Sequence, residues 1–254
     1  MRWASFVALG MIIVACSSSS DPTSLGAGPR SRGDDDDDAV KTVDAGPIDA
    51  APVDSGPVQS DVCKVGGLAL CFGFDGAATD GSPNALKGKA TNIDFVKGKD
   101  SLAGSFGPAS AITFEANQAF ELPKDAATVE AWIRRQSTGA DAVVFDDDLR
   151  FALVITAEGK VRCNTSTVSI TGTTDIAVED WAHVACVVDK GEVRAYVNGK
   201  EDAKGNGSIG SSPKNGAAIG QDSPAGNAQF LGLIDSFRLM WMARSASDIA
   251  NDAK

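Results

Sequence analysis

Residues 181–200 read WAHVACVVDKGEVRAYVNGK, and no other stretch of the chain limits its fold as tightly. Val184, Cys186 and Val188 alternate with Ala185 and Val187, and a turn follows at Asp189-Lys190-Gly191. Val193, Ala195 and Val197 then alternate with Arg194, Tyr196 and Asn198, and Asn198-Gly199 follows. A two-residue period places alternate side chains on opposite faces of a strand. Asn-Gly supplies the two positive φ angles that a type I′ hairpin turn requires. Two strands and the opening of a third, joined by tight turns, predict an antiparallel β-protein. The segment specifies neither a reaction nor a ligand.

The N-terminal quarter predicts location. Arg2 followed by the apolar run FVALGMIIVA has the pattern of a secretory signal over residues 1–15. At about ten residues the run is too short to cross a bilayer, which takes roughly 20. It ends at Val14-Ala15-Cys16-Ser17, the pattern of a bacterial lipobox with Cys16 as the lipidated residue. Acyl chains on Cys16 would anchor the chain to the lipid bilayer, at about 0.8 kcal/mol per buried CH₂. Ser17 after the cysteine points to the outer membrane of a cell envelope.

Residues 16–60 read as an acidic, Pro-rich linker without packed structure. They hold five consecutive aspartates at 34–38 and a five-residue repeat ending at Pro47, Pro52 and Pro57. Proline at that period blocks helix and sheet ladders, and the few apolar groups cannot offset the entropy of ordering. The formal charge of the chain is −11, or −12 without Arg2. Nine aspartates against Arg30, Arg32 and Lys41 place −6 in the linker, which leaves −6 for residues 61–254. That balance excludes nucleic acid as a partner.

Residues 61–254 are expected to form one domain. Leu68-Ala69-Leu70-Cys71-Phe72-Gly73-Phe74 alternates, with Leu68, Leu70, Phe72 and Phe74 on one face. Thr128-Val129-Glu130-Ala131-Trp132-Ile133 is a second strand, residues 151–156 and 160–165 flank a turn, and residues 231–241 form the last strand. Residues 248–253 form one short closing helix. Many short strands between Gly, Asp and Asn clusters imply a sandwich or jelly roll.

Four segments carry a family resemblance in order: Leu70-Cys71-Phe72-Gly73-Phe74-Asp75; Thr128-Val129-Glu130-Ala131-Trp132-Ile133; Trp181-Ala182-His183-Val184-Ala185 with Tyr196-Val197-Asn198-Gly199; and Gly232-Leu233-Ile234-Asp235-Ser236-Phe237-Arg238-Leu239 with Ala243-Arg244-Ser245-Ala246 and Ile249. Together they resemble the laminin-G-like, concanavalin A-like jelly-roll domains of bacterial surface proteins. Ser245 stands where that pattern usually has Leu, and Trp241 where it often has Tyr. The resemblance implies an all-β, antiparallel jelly-roll sandwich and core positions for Trp132 and Trp181.

Cys63, Cys71, Cys163 and Cys186 are an even set in an exported domain, which favours disulfides. Three pairings are open. Cys63–Cys71 with Cys163–Cys186 is favoured, because Cys163 lies on the strand before the one that carries Cys186 and the two strands are expected to be neighbours. A zinc site lacks CxxC spacing. His183 is the only histidine, and no GxSxG elbow accompanies it. Related jelly rolls include glycoside hydrolases with an ExDxE strand, which this chain lacks; Asp146-Asp147-Asp148 reads as a turn, so no catalytic residue is assigned.

Calcium is the expected cofactor. Asp75, Asp80 and Asn84 lie in a Gly-rich loop after the first strand, and Asp235 shares strand parity with the apolar Phe237 and Leu239. An inward carboxylate must be paired, hydrogen-bonded or metal-bound, and the first and last strands are expected neighbours, so Asp75 and Asp235 could share one ion. Tyr196 and Trp241 are the candidate ligand-binding aromatics, Tyr196 because it faces away from Val193, Ala195 and Val197. These features together predict a cell-surface lipoprotein with a non-catalytic domain that binds an extracellular glycan or protein in a calcium-dependent way. The alternatives are a structural or adhesive module without a small ligand, and a glycoside hydrolase or lyase.

Overall fold

The computed structural model of the chain describes residues 61–148, 150–211, 215–224 and 226–254. Residues 1–60, which hold the expected signal, Cys16 and the expected acidic linker, lie outside the described residues. In chain order the strands are β1 (Leu68–Phe72), β2 (Lys89–Lys97), β3 (Leu102–Phe114), β4 (Ala126–Arg135), β5 (Ala142–Asp146), β6 (Phe151–Ile155), β7 (Val161–Thr165), β8 (Ser169–Thr171), β9 (Ala182–Asp189), β10 (Glu192–Val197), β11 (Lys200–Asn206), β12 (Ala217–Ile219) and β13 (Gly232–Met240). One helix, α1 (Ala246–Asp252), closes the fold.

The hairpins at residues 181–200 form as the sequence requires. Asp189 pairs with Glu192 across Lys190 (φ 49°) and Gly191 (φ 84°), and Val197 pairs with Lys200 across Asn198 (φ 48°) and Gly199 (φ 78°). A Cβ on Gly199 would also stand 2.8 Å from the Ala250 Cα of α1, so the position needs glycine for space as well as for φ.

The strands form one continuous antiparallel ladder in the order β11-β10-β9-β4-β13-β3-β12-β5-β6-β7-β8, with β1 on β13 and β2 on β3. The ladder folds back on itself: β10 lies over β7 and β8, and β6 lies over β4 and β9. The resulting two layers enclose one core, where Phe72 meets Phe114 and Phe237 edge-on and Phe237 also meets Phe145. This is a jelly-roll sandwich.

Both favoured disulfides are present, Cys63–Cys71 and Cys163–Cys186. The reason given for the second needs correction. β7 and β9 are not hydrogen-bonded neighbours; they belong to opposing layers, and the bridge crosses the core between them.

Two strands went unread in the sequence, and one expectation changes. β2 and β3 were not legible in the sequence. β2 is an edge strand with alternating exposed polar residues, and Gly107-Pro108 interrupts β3. In β1 the register shifts between Leu68 and Leu70. Leu70 and Phe72 therefore enter the main core, whereas Leu68 joins Cys63, Cys71 and Met240 in a small cluster on the other side.

Candidate functional site

β4, β9 and β13 lie side by side and share two unlike faces. Ala127, Val129, Ala131 and Ile133 of β4 enter the core, as do Ala182, Val184, Cys186 and Val188 of β9 and Ile234, Phe237 and Leu239 of β13. Strand alternation therefore turns Thr128, Glu130, Trp132 and Arg134, with His183, Ala185 and Val187, to the outside.

α1 covers part of that outer face. Ser245 caps it: its Oγ accepts from the Asp248 N–H (3.2 Å), and its own N–H donates to Asp248 Oδ2 (3.3 Å). The departure from Leu at Ser245 is thus a helix cap. Thr128 Oγ1 donates to the Met242 carbonyl (2.8 Å) and accepts from the Arg244 N–H (3.0 Å), which pins the approach to the helix onto β4. Ile249 packs on Ala185, Val187 and Tyr196.

Beneath α1 lies a charged network. Glu130 Oε1 accepts from Arg238 (2.9 Å) and Arg244 (3.2 Å), and Asp252 Oδ2 from the same two guanidiniums (2.5 and 2.6 Å). His183 Nε2 lies 3.8 Å from Glu130 Oε2; among the described residues that oxygen and His183 Nδ1 have no hydrogen-bond partner. Burial raises the Glu130 carboxyl, against the pull of Arg238 and Arg244. Burial, with the charges of Arg238 and Arg244, lowers His183 to about 4, so the ring is neutral at pH 7. Glu130 and His183 are fully covered, and the work of the network is to fasten α1 to the sheet.

Tyr196 faces away from the core as expected, yet α1 covers it and leaves it 1% exposed. Its assignment as an outward ligand-binding ring is therefore wrong: strand parity fixed its face, and a helix from the end of the chain closed that face. Trp241 is half-buried against the core and spends its indole N–H on the Ala119 carbonyl (2.9 Å).

Past the end of α1 the outer face opens into a rim. Trp132, expected in the core, is outside and half-buried; its Nε1 donates to the Asp252 carbonyl (3.2 Å) and its ring meets His183 edge-on at 5.5 Å. The parity of Val129, Ala131 and Ile133 already carried that signal. Trp181, directly before β9, is also half-buried and absent from the core. Arg134 is tied to Glu179 through the carbonyl (2.7 Å) and the carboxylate (2.6 Å).

A turn from β2 to β3 leans over this rim. The Gly98 N–H donates to the Ser101 carbonyl (2.9 Å), the Lys99 N–H to Asp235 Oδ2 (3.0 Å), and the Ser101 hydroxyl to Asp75 Oδ1. Lys99 Nζ rests 4.4 Å from the centre of the Trp132 ring. A Cβ on Gly98 would fall 2.6 Å from Asp235 Oδ2. Lys99 carried no signal in the sequence.

Asp75 and Asp235 thus come together, with a correction. Asp235 does not share a face with Phe237 and Leu239. A bulge at Ser236 (φ 52°) shifts the register between Asp235 and Arg238, so Asp235 stands beside Trp132 on the outer face. It is buried all the same, and it also accepts from the Ser236 hydroxyl (3.1 Å). Burial and the charge of Asp75 push its carboxyl up, while the Lys99 N–H and Ser236 hydroxyl oppose this.

Asp80 and Asn84 serve elsewhere. Asp80 accepts from the N–H groups of Cys71, Ser82 and Leu86 and from the Ser82 hydroxyl, and Asn84 donates to the carbonyls of Leu68 and Ala69. They stitch the loop to β1. Among the described residues no three His, Cys, Asp or Glu side chains converge as a metal-holding group.

Asp146 ends β5, and only Asp147 and Asp148 form the turn after it; the run is not solvated at its start. Asp146 Oδ2 accepts from the Ser223 N–H (2.8 Å), and buried Asp147 pairs with Arg150, which also donates to the Phe120 carbonyl. Burial outweighs Arg150 and raises the Asp147 carboxyl to about 7.

Residues 106–250 match the family model Laminin_G_3, described as the concanavalin A-like lectin/glucanases superfamily. The chain belongs to this superfamily. Among solved structures it is similar to domain 4 of AbnA, a GH43 extracellular arabinanase from Geobacillus stearothermophilus, in complex with arabinotriose. That match has 20% identity and a TM-score of 0.61, over 74% of this chain and 98% of the other. The binding domain of Paraclostridial Mosquitocidal Protein 1 matches at 17% identity and TM-score 0.59, over 74% and 52%. The binding domain of Botulinum Neurotoxin DC in complex with SialylT matches at 15% and 0.55, over 74% and 52%. The chain spans about half the length of the two toxin domains, and at these identities the likeness is one of fold. A comparison with curated protein sequences finds no match.

Proposed function

We propose that the domain is a non-catalytic binding module for an extracellular glycan or protein, carried on a lipoprotein anchored through Cys16 to the cell envelope. The observation that carries the reading is Trp132. Its ring is turned outward by β4, in T-shaped contact with His183, held at its N–H by the Asp252 carbonyl, and left half-buried. A fixed aromatic ring beside polar side chains is suited to the apolar face of a sugar or to a partner's side chain. The superfamily and the arabinotriose complex of the similar arabinanase domain support a glycan. A glycan array probed with the full chain and with Trp132→Ala tests it. Loss of the bound signal at unchanged thermal stability supports the reading; an unchanged pattern refutes it.

Calcium belongs to the same proposal. Asp75 and Asp235 are hard oxygen donors held one beside the other, with the hydroxyls of Ser101 and Ser236 at their oxygens. Carboxylate and hydroxyl oxygens are the donor type that calcium takes, and an ion there would offset the burial and the Asp75 charge that raise Asp235. Calorimetric titration with calcium chloride should give heat and a rise in Tm, both lost in Asp235→Asn. Neither heat nor a Tm rise in the unaltered chain would remove calcium from the proposal.

A further inference from the structure

We infer that the rim prefers glycans that carry a carboxylate, uronic acids as a class, and that Lys99 sets the preference. The inference rests on Trp132 as the sugar platform.

The Lys99 ammonium occupies a face of the ring that a sugar would stack on, 4.4 Å from its centre. A neutral sugar that takes that face must displace a cation–π contact, at a cost of about two- to thirtyfold in affinity. An acidic sugar displaces the same contact but gives the ammonium a carboxylate partner, a charge-assisted bond that offsets the loss.

Three features make Lys99 fit for this exchange. Its main chain is fixed, through the Gly98 N–H to the Ser101 carbonyl, the Lys99 N–H to Asp235 and the Ser101 hydroxyl to Asp75, so only the side chain has to swing. Among the described residues its ammonium is paired with no carboxylate. Arg134, the next outward residue of β4 after Trp132, is already held by Glu179. The charges of Asp75 and Asp235 beneath the turn act against an anion, and a calcium ion there would relieve them.

The test uses the full chain and calorimetry, with and without calcium. The probes are oligomers of galacturonate, mannuronate and glucuronate, each compared with its methyl ester, which has the same ring shape without the charge. The unaltered protein should bind at least one acid form about threefold or more tighter than its ester. Lys99→Ala and Lys99→Met should bring the ratio to about one, with the ester bound more tightly than before and the acid more weakly. Equal affinity for acid and ester, or a ratio unchanged in both variants, overturns the inference. If esters or neutral glycans bind and Trp132→Ala abolishes that binding, the platform stands and only the preference falls. If neither acid, ester nor any arrayed glycan binds, both fall.

Discussion

On the inner face of β4, β9 and β13, Val129, Ala131, Val184, Cys186, Ile234 and Phe237 lie against the opposite layer. On the outer face of the same strands, Glu130, His183 and Arg238 are almost as deeply buried. The inner face is closed by apolar contact and a disulfide. The outer face is closed by paired charges under a helix of seven residues. Burial alone therefore does not distinguish core from cover. The inner face tolerates any well-fitting apolar group, whereas the outer one depends on every charge keeping its partner.

The sharpest way to break this comparison is on the polar side. Arg238→Ala leaves Glu130 and Asp252 with Arg244 alone, and one partner removed from a buried ion network costs about 3–5 kcal/mol. Urea denaturation should show that loss; a change below about 1 kcal/mol would mean that the outer network contributes little. On the apolar side, Cys163→Ala with Cys186→Ala frees a 23-residue separation across the core. The expected loss is about 3 kcal/mol, measured by the same transition, with the outer face intact.

Acid acts on the buried titratable groups with two signs. His183 is lowered to about 4 in the fold, so the unfolded chain takes up its proton first, near 6.5, as pH falls. Its contribution is full above pH 6.5 and is lost toward pH 4, at most about 3 kcal/mol. Asp147, raised to about 7, acts oppositely: its contribution is full below pH 3.8 and is lost as pH rises through 7. Glu130, raised by burial, has the same sign as Asp147. The stability advantage of the unaltered protein over His183→Gln should therefore shrink between pH 7 and pH 4. A constant difference would remove His183 from the acid response.

The smallest effect lies where the two faces meet at the hairpin. Gly199→Ala places a Cβ at positive φ and against Ala250, and should lower stability by about 1–2 kcal/mol. A neutral result would show that α1 yields easily at that end.

Strand parity made much of this legible. The alternation of residues 181–200 and of 128–133 assigned inner and outer faces before any contact was visible, and Asn198-Gly199 placed its turn. The parity rule failed at Ser236, where one bulged residue moved Asp235 to the other face, and at Leu68, where the register shifts. It was set aside at Trp132, whose outward position it indicated. Lys99 had no pattern to betray it, because its role depends on a turn that meets β13 and β4 far along the chain.

The sequence by itself placed β1, β4, β6, β7, β9, β10 and β13, the two tight turns and the superfamily resemblance, because these depend on neighbouring residues and on period. The tertiary structure alone decided which outward side chains stay outside. α1 returns from the end of the chain to cover Tyr196 and Glu130, and its last residue, Asp252, meets only the indole N–H of Trp132 and leaves that ring half-buried. Strand parity assigns a face, but only long-range packing determines whether that face meets solvent, a helix or a ligand.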